Sequence, residues 1–214
     1  MANFQDNLRT DVLHLFPSSA NSILEIGGGT GVTAAEAKKI CGASTAGVVD
    51  LSEEAIRNAK PELDFAISGD LGDLSVLEDV AAKYGPFDLI LCLDILEHLV
   101  DPWKTVAKLD SMLAPGGVIV ASIPNVRYYH VSLRLVLRGS WNLSDSGILD
   151  RTHLRFFTRK TAISLMACSG LTIKSVSARY HPRRGRSSRI FNALTLGLFK
   201  ELLDFQYFIV AQKA

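Results

Sequence analysis

The sequence predicts an α/β fold, a parallel sheet doubly wound by helices on both faces, and three observations carry that expectation. Short apolar runs alternate with helical patterns from Ile23 to Ile123, the mark of repeated strand–helix crossovers. The run Phe87–Leu93 is apolar on both faces, as a central parallel strand must be. The strand Ser22–Ile26 runs directly into Gly27-Gly28-Gly29-Thr30-Gly31 and then an alanine-rich helix. Such a turn lets the backbone approach a ligand where a side chain would collide.

Taken in order, Asn3–Phe16 reads as an amphipathic helix over the cleft or the sheet, with Phe4, Leu8, Val12 and Leu15 at helical spacing and Pro17 ending it. Strands follow at Ile23–Ile26, Ala46–Asp50, Phe65–Ser68, Phe87–Leu93 and Gly117–Ile123. Helices alternate with them at Val32–Cys41, Glu53–Ala59, Leu74–Tyr84 and Pro102–Leu113. Beyond Asn125 an apolar helix reaches Leu137, and Thr158 caps another helix from Arg159 onward. Two β-rich segments, Leu171–Ala178 and Phe205–Gln212, are separated by a long connection, so the sheet closes with an antiparallel C-terminal strand.

With 214 residues and 48% hydrophobic content the chain can bury one core, and no composition break marks a second. The expectation is one domain, 1–214, with insertions at about 126–158 and 180–203. Cys41, Cys92 and Cys168 are far apart in apolar contexts, which fits buried thiols in a reducing compartment. The N-terminus lacks a signal-peptide pattern and no run approaches a membrane span, so a cytoplasmic location is expected. A net charge of +1 gives no electrostatic case for nucleic acid. The charge is uneven, however, because Arg179, Arg183, Arg184, Arg186 and Arg189 precede an apolar stretch containing Phe191, Leu194, Leu198 and Phe199. The segment 183–199 reads either as a contact with the inner membrane face or a lipid-linked substrate, or as a packed lid or homodimer contact.

Chemistry enters at the glycine turn. Val48-Val49-Asp50 follows about twenty residues after it, and an acid at the end of the second strand can hold both hydroxyls of a ribose. The unit is a nucleoside-cofactor site. The turn fits acid-x-Gly-x-Gly-x-Gly through Glu25, Gly27, Gly29 and Gly31, but it also contains Gly29-x-Gly31-x-x-Ala34, a passable dinucleotide fingerprint.

The first pattern resembles the opening motif of class I S-adenosylmethionine (SAM) methyltransferases. Ser68-Gly69-Asp70-Leu71, the strand Phe87–Leu93 running into Asp94-Ile95-Leu96-Glu97-His98, and Leu113-Ala114-Pro115-Gly116-Gly117 resemble the later motifs of that family, in its order. The resemblance implies a Rossmann-like seven-stranded sheet of order 3-2-1-4-5-7-6, with strand 7 antiparallel and helices on both faces. It implies SAM contacts at Glu25, Gly27, Gly29, Gly31, Asp50, Leu51, Asp70, Leu71, Leu93 and Asp94. Asp94-x-x-Glu97-His98 is similar to the cluster that binds a divalent cation in ubiquinone-biosynthesis O-methyltransferases. No metal is expected here, and Asp94, Glu97 and His98 are the ligands were one bound.

The string Asp150-Arg151-Thr152-His153-Leu154-Arg155-Phe156-Phe157-Thr158 resembles methyltransferases of bacterial surface-polysaccharide clusters. That implies O-methylation of a sugar or glycan-related hydroxyl. His153 is the first candidate for the base that takes the hydroxyl proton, with His98 and Asp150 behind it. Asn125, Tyr128, Trp141, Arg151 and Arg155 are the candidate acceptor contacts, Trp141 as a stacking face and the arginines as anion holders. Three readings stay open beside it: O-methylation of a phenolic or other small metabolite, with or without a metal; NAD-dependent oxidation; and SAM binding without catalysis.

Overall fold

The computed structural model describes residues 7–180, 190, 193–194, 196–197 and 199–214. Most of the expected membrane-or-lid segment 183–199, including its four arginines, and the first residues of the expected N-terminal helix lie outside the described residues.

Seven strands form one sheet: β1 (Ser22–Ile26), β2 (Thr45–Asp50), β3 (Phe65–Ser68), β4 (Phe87–Leu93), β5 (Leu113–Pro124), β6 (Thr172–Tyr180) and β7 (Asp204–Gln212). Their order is β3-β2-β1-β4-β5-β7-β6. The first five pair in parallel, and β7 runs antiparallel to both β5 and β6. The helices are α1 (Val32–Cys41), α2 (Glu53–Arg57), α3 (Leu74–Tyr84), α4 (Pro102–Met112), α5 (Tyr129–Arg138), α6 (Arg159–Met166) and a short α7 (Lys200–Leu203).

Local chemistry explains the boundaries. Ser52, Asp73 and Asp101 accept backbone N–H bonds at the starts of α2, α3 and α4, and Thr158 forms a reciprocal capping box with Thr161 at the start of α6. Alternation along each strand then divides the core. Leu24, Ile90, Cys92, Ile119 and Tyr207 face α3, α4 and α6. Ile23, Leu89, Leu91, Val120 and Phe208 face α1 and the N-terminal segment. Both faces being covered is what a parallel sheet requires.

Two expectations need correction. Among the described residues the N-terminal segment holds only a 3₁₀ turn, Leu13–Leu15, rather than a helix through Phe16. The chain instead lies across the sheet, with Val12 fully buried in the core and the Arg9 N–H donating to Thr33 Oγ1 on α1, and these tertiary contacts outweigh helical periodicity. Strand β5 begins at Leu113, four residues before the expected start, because Leu113 pairs with Phe87 ahead of a register shift around the Pro115-Gly116 turn. Among the described residues no helix is long and apolar enough to cross a membrane.

Candidate active site

The carboxyl ends of β1, β2 and β4 meet at the glycine turn. Gly31 starts α1 in the left-handed region, at φ 74°, and a Cβ there would lie 2.4 Å from Leu63 Cδ1, so only glycine fits. Gly29, at φ 58°, differs: a Cβ there would meet nothing within 4 Å, so its backbone edge faces open space. Asp50 joins the turn to β2. Its Oδ2 accepts the Gly29 N–H at 2.7 Å and its Oδ1 accepts the Ser52 N–H at 2.9 Å. Each oxygen keeps a lone pair for a ribose hydroxyl, and the exposed backbone edge beside it suits a nucleoside.

Glu25 takes a different place from the one expected. It lies beneath the turn, 3% exposed, with Oε2 accepting the Ala34 N–H at 2.9 Å. Burial pushes its carboxyl up to about 8, with the charge of Asp50 adding to the rise. It braces the turn and does not face the cleft. The Leu71 side chain is likewise in the core, while Asp70 is exposed and accepts the Gly72 N–H in an Asx turn. Leu51 is 70% exposed at the cleft edge, and Leu93 packs into the core.

Asp94 ends β4 at φ 57°, an uncommon conformation for a residue with a side chain. A long-range polar network holds it. Ser122 Oγ donates to Asp94 Oδ1 at 2.8 Å, Gln206 Nε2 donates to both Asp94 Oδ1 and Ser122 Oγ, and Arg9 pairs with Asp94 Oδ2 and reaches Ser122. Asp11 in turn joins Arg9 to Arg179. Sequence reasoning missed Arg9, Asp11, Ser122 and Gln206, which carry no local motif. The Arg9 guanidinium is thereby committed to Asp94, Asp11 and Ser122.

One turn further on, Glu97, His98 and His153 bring one ligand atom each to within 4.8 Å of one another. The His98 and His153 rings meet edge to face at 4.6 Å, and His153 Nε2 lies 3.9 Å from Glu97 Oε1. Glu97 is 1% exposed, and neither of its carboxyl oxygens has a hydrogen-bond partner. Burial, with Asp94 nearby, holds its pKa well above the usual carboxylate range. Burial holds His153 below the usual imidazole value. His153 Nδ1 lies 3.0 Å from the Ile148 carbonyl, which assigns the proton to Nδ1 and the lone pair to Nε2. Two imidazoles and an orphaned buried carboxyl fit a divalent cation. His153 replaces Asp94 in the expected ligand set, since Asp94 is engaged by Arg9.

The remaining candidates divide sharply. Asp150 accepts from the N–H and hydroxyl of Thr152, an Asx turn that presents His153. Trp141 is 38% exposed and stacks edge-on against Phe156 at 5.1 Å, and Phe156 lies 6.3 Å from His153, so an aromatic shelf borders the trio. The other four expected acceptor contacts are engaged within the protein. Asn125 is fully buried, with Nδ2 donating to the Glu201 and Asp204 carbonyls and Oδ1 accepting the Arg127 N–H. Tyr128 is buried with Val131 and Ile148. Arg151 pairs with Asp145, and the Arg155 guanidinium donates to the Val100 carbonyl. Asn125 and Arg155 thus satisfy backbone groups that would otherwise lack a partner.

Comparison with known proteins follows the same lines. A family model described as a methyltransferase domain matches residues 2–176. A ubiquinone biosynthesis O-methyltransferase of Thiobacillus denitrificans is 36% identical over 174 residues, 77% of this chain and 73% of that protein. Its counterpart in Albidiferax ferrireducens is 32% identical, over 78% of this chain and 69% of that one. Among solved structures, a SAM-dependent methyltransferase from Archaeoglobus fulgidus superposes with a TM-score of 0.64 at 17% identity, covering 96% of this chain and 91% of the other. An N-methyltransferase from Bradyrhizobium japonicum, crystallised with S-adenosyl-L-homocysteine, gives 0.60 at 17% identity, covering 98% and 90%.

Proposed function

We infer, from the premise that this chain belongs to the SAM-dependent methyltransferase family, that it methylates a hydroxyl on the ring of a small phenolic acceptor. The observation that carries the reading is the Glu97–His98–His153 trio at the end of β4. The names of the ubiquinone-biosynthesis relatives support it.

SAM supplies an electrophilic methyl group on a sulfonium that leaves as a neutral thioether. The protein's share is to hold acceptor oxygen, methyl and sulfur in line and to remove the hydroxyl proton. The glycine turn and Asp50 hold the nucleoside. His153, neutral and with its lone pair on Nε2, takes the proton. Were a divalent cation held by Glu97, His98 and His153, it would occupy the His153 Nε2 lone pair and would acidify the acceptor hydroxyl in place of proton removal by His153.

A second reading, methylation of a glycan-related hydroxyl, is favoured by the Trp141–Phe156 shelf, since an indole face stacks on a sugar ring. Transfer of labelled methyl from SAM to 3,4-dihydroxybenzoate and to methyl glucoside, with and without EDTA, tests both. The phenolic reading expects product from the first, lost in His153→Ala. Product from the glycoside alone moves the assignment to glycans, and transfer that survives His153→Ala removes His153 as the base.

A further inference from the structure

On the α6 side of the sheet, β6, β7, α6 and α7 line a half-open cavity of about 960 Å³. That volume is in the range of small-molecule sites, roughly 300–1,000 Å³. It shares no lining residue with the glycine turn, Asp50, Asp94 or the Glu97–His98–His153 trio. Asp204, 2% exposed, and Tyr207, 1% exposed, line it and act on each other, yet Asp204 Oδ1, the Tyr207 hydroxyl and Ser177 Oγ, all buried atoms on its wall, lack a hydrogen bond of ordinary geometry. Native proteins rarely leave such groups unpaired, and each costs stability until a ligand or water meets it.

The charges around the cavity are also unbalanced. Arg127 is committed to Glu201 at 2.5 Å. Arg159 and Lys200 also line the cavity, act electrostatically on Asp204, and have no ion-pair or hydrogen-bond partner among the described residues. Arg159 is the first residue of α6, where the helix dipole adds to the positive potential. Tyr180, at the end of β6, supplies an aromatic wall. A buried acid disfavours a ligand that is anionic throughout, and two cations against one acid disfavour an amine. The complement is a molecule with one anionic group and several hydroxyls.

We propose that this cavity is a second ligand site, separate from the cofactor cleft, that binds an anionic saccharide with its carboxylate or phosphate on Lys200 and Arg159 and its hydroxyls on Asp204 and Tyr207. Burial pushes the Asp204 carboxyl up to about 6, so near neutral pH it accepts from sugar hydroxyls and, when protonated, donates to them.

The test is saturation-transfer NMR and calorimetry on the full chain with glucuronate, glucose 1-phosphate, methyl glucoside and inorganic phosphate, and with S-adenosyl-L-homocysteine as a control for folding. The expected result is binding of glucuronate or glucose 1-phosphate, or both, with the tighter of the two naming the anion. Methyl glucoside should bind at least about tenfold more weakly, as the loss of a charge-assisted contact demands. Lys200→Gln and Asp204→Asn should each weaken saccharide binding about tenfold and leave homocysteine-cofactor affinity unchanged. Because Lys200 is exposed, its variant reads the site even where Asp204→Asn disturbs folding. The proposal is overturned by a folded protein that binds the cofactor product and none of the saccharides, by inorganic phosphate binding as tightly as the sugar phosphate, or by saccharide binding indifferent to Lys200→Gln. No methyl transfer is read, so either result leaves the acceptor assignment to its own assay.

Discussion

Replacing Glu25 by glutamine removes one buried ionisable group beneath the glycine turn and keeps a carbonyl oxygen for the Ala34 N–H. In the folded chain this carboxyl titrates near 8, against a value of 4.5 in an unfolded chain. Between those values the folded state holds a proton that the unfolded state has lost, so stability falls as pH rises across the window. The slope is about 1.4 kcal/mol per pH unit, and the full interval amounts to about 5 kcal/mol. The Ala34 N–H and the Arg9 charge pull the other way and are outweighed by desolvation. Urea unfolding of wild type and Glu25→Gln at half-unit steps from pH 5 to 8.5 isolates this group, because every other titration is common to both proteins. The difference in unfolding free energy should shift steadily in favour of the variant up to pH 8 and then level off. Parallel curves over that range would refute the claim that Glu25 is desolvated beneath the turn.

Gly31→Ala should cost about 2–4 kcal/mol in chemical denaturation, from the left-handed backbone and the contact with Leu63, whereas Gly29→Ala should cost only about 1 kcal/mol yet weaken S-adenosyl-L-homocysteine binding at least tenfold by calorimetry. In thermal-shift titration the cofactor product at about a hundred times its dissociation constant should stabilise wild type by about 2.7 kcal/mol, and Asp50→Ala should lose that response while NAD stabilises neither protein. Asn125→Ala breaks three hydrogen bonds at a fully buried side chain and should cost about 2–4 kcal/mol in urea unfolding, with product affinity unchanged.

The sequence by itself determined the strands, most of the helices and the turn that receives the cofactor, because these rest on local signals, whereas the strand order followed only from the family resemblance. Alternation of apolar faces sets strands and helices; Ser52, Asp73, Asp101 and Thr158 mark helix starts by satisfying N–H groups only a few residues away; and a glycine at positive φ announces its own turn. Only the tertiary structure decided which polar side chains work at the site and which hold the scaffold. Arg9 meets Asp94 across 85 residues of chain, and His153 comes to Glu97 from the far end of an insertion. Asn125, Tyr128, Arg151 and Arg155 look as suited to an acceptor as Trp141 does, yet their bonds go to the protein's own backbone, core or a neighbouring acid. Glu25, read as a cofactor contact, lies under the turn instead. The physical reason is desolvation: the cost of burying a polar group and the identity of the partner that repays it depend on what the whole fold brings alongside, and no local pattern of residues encodes that.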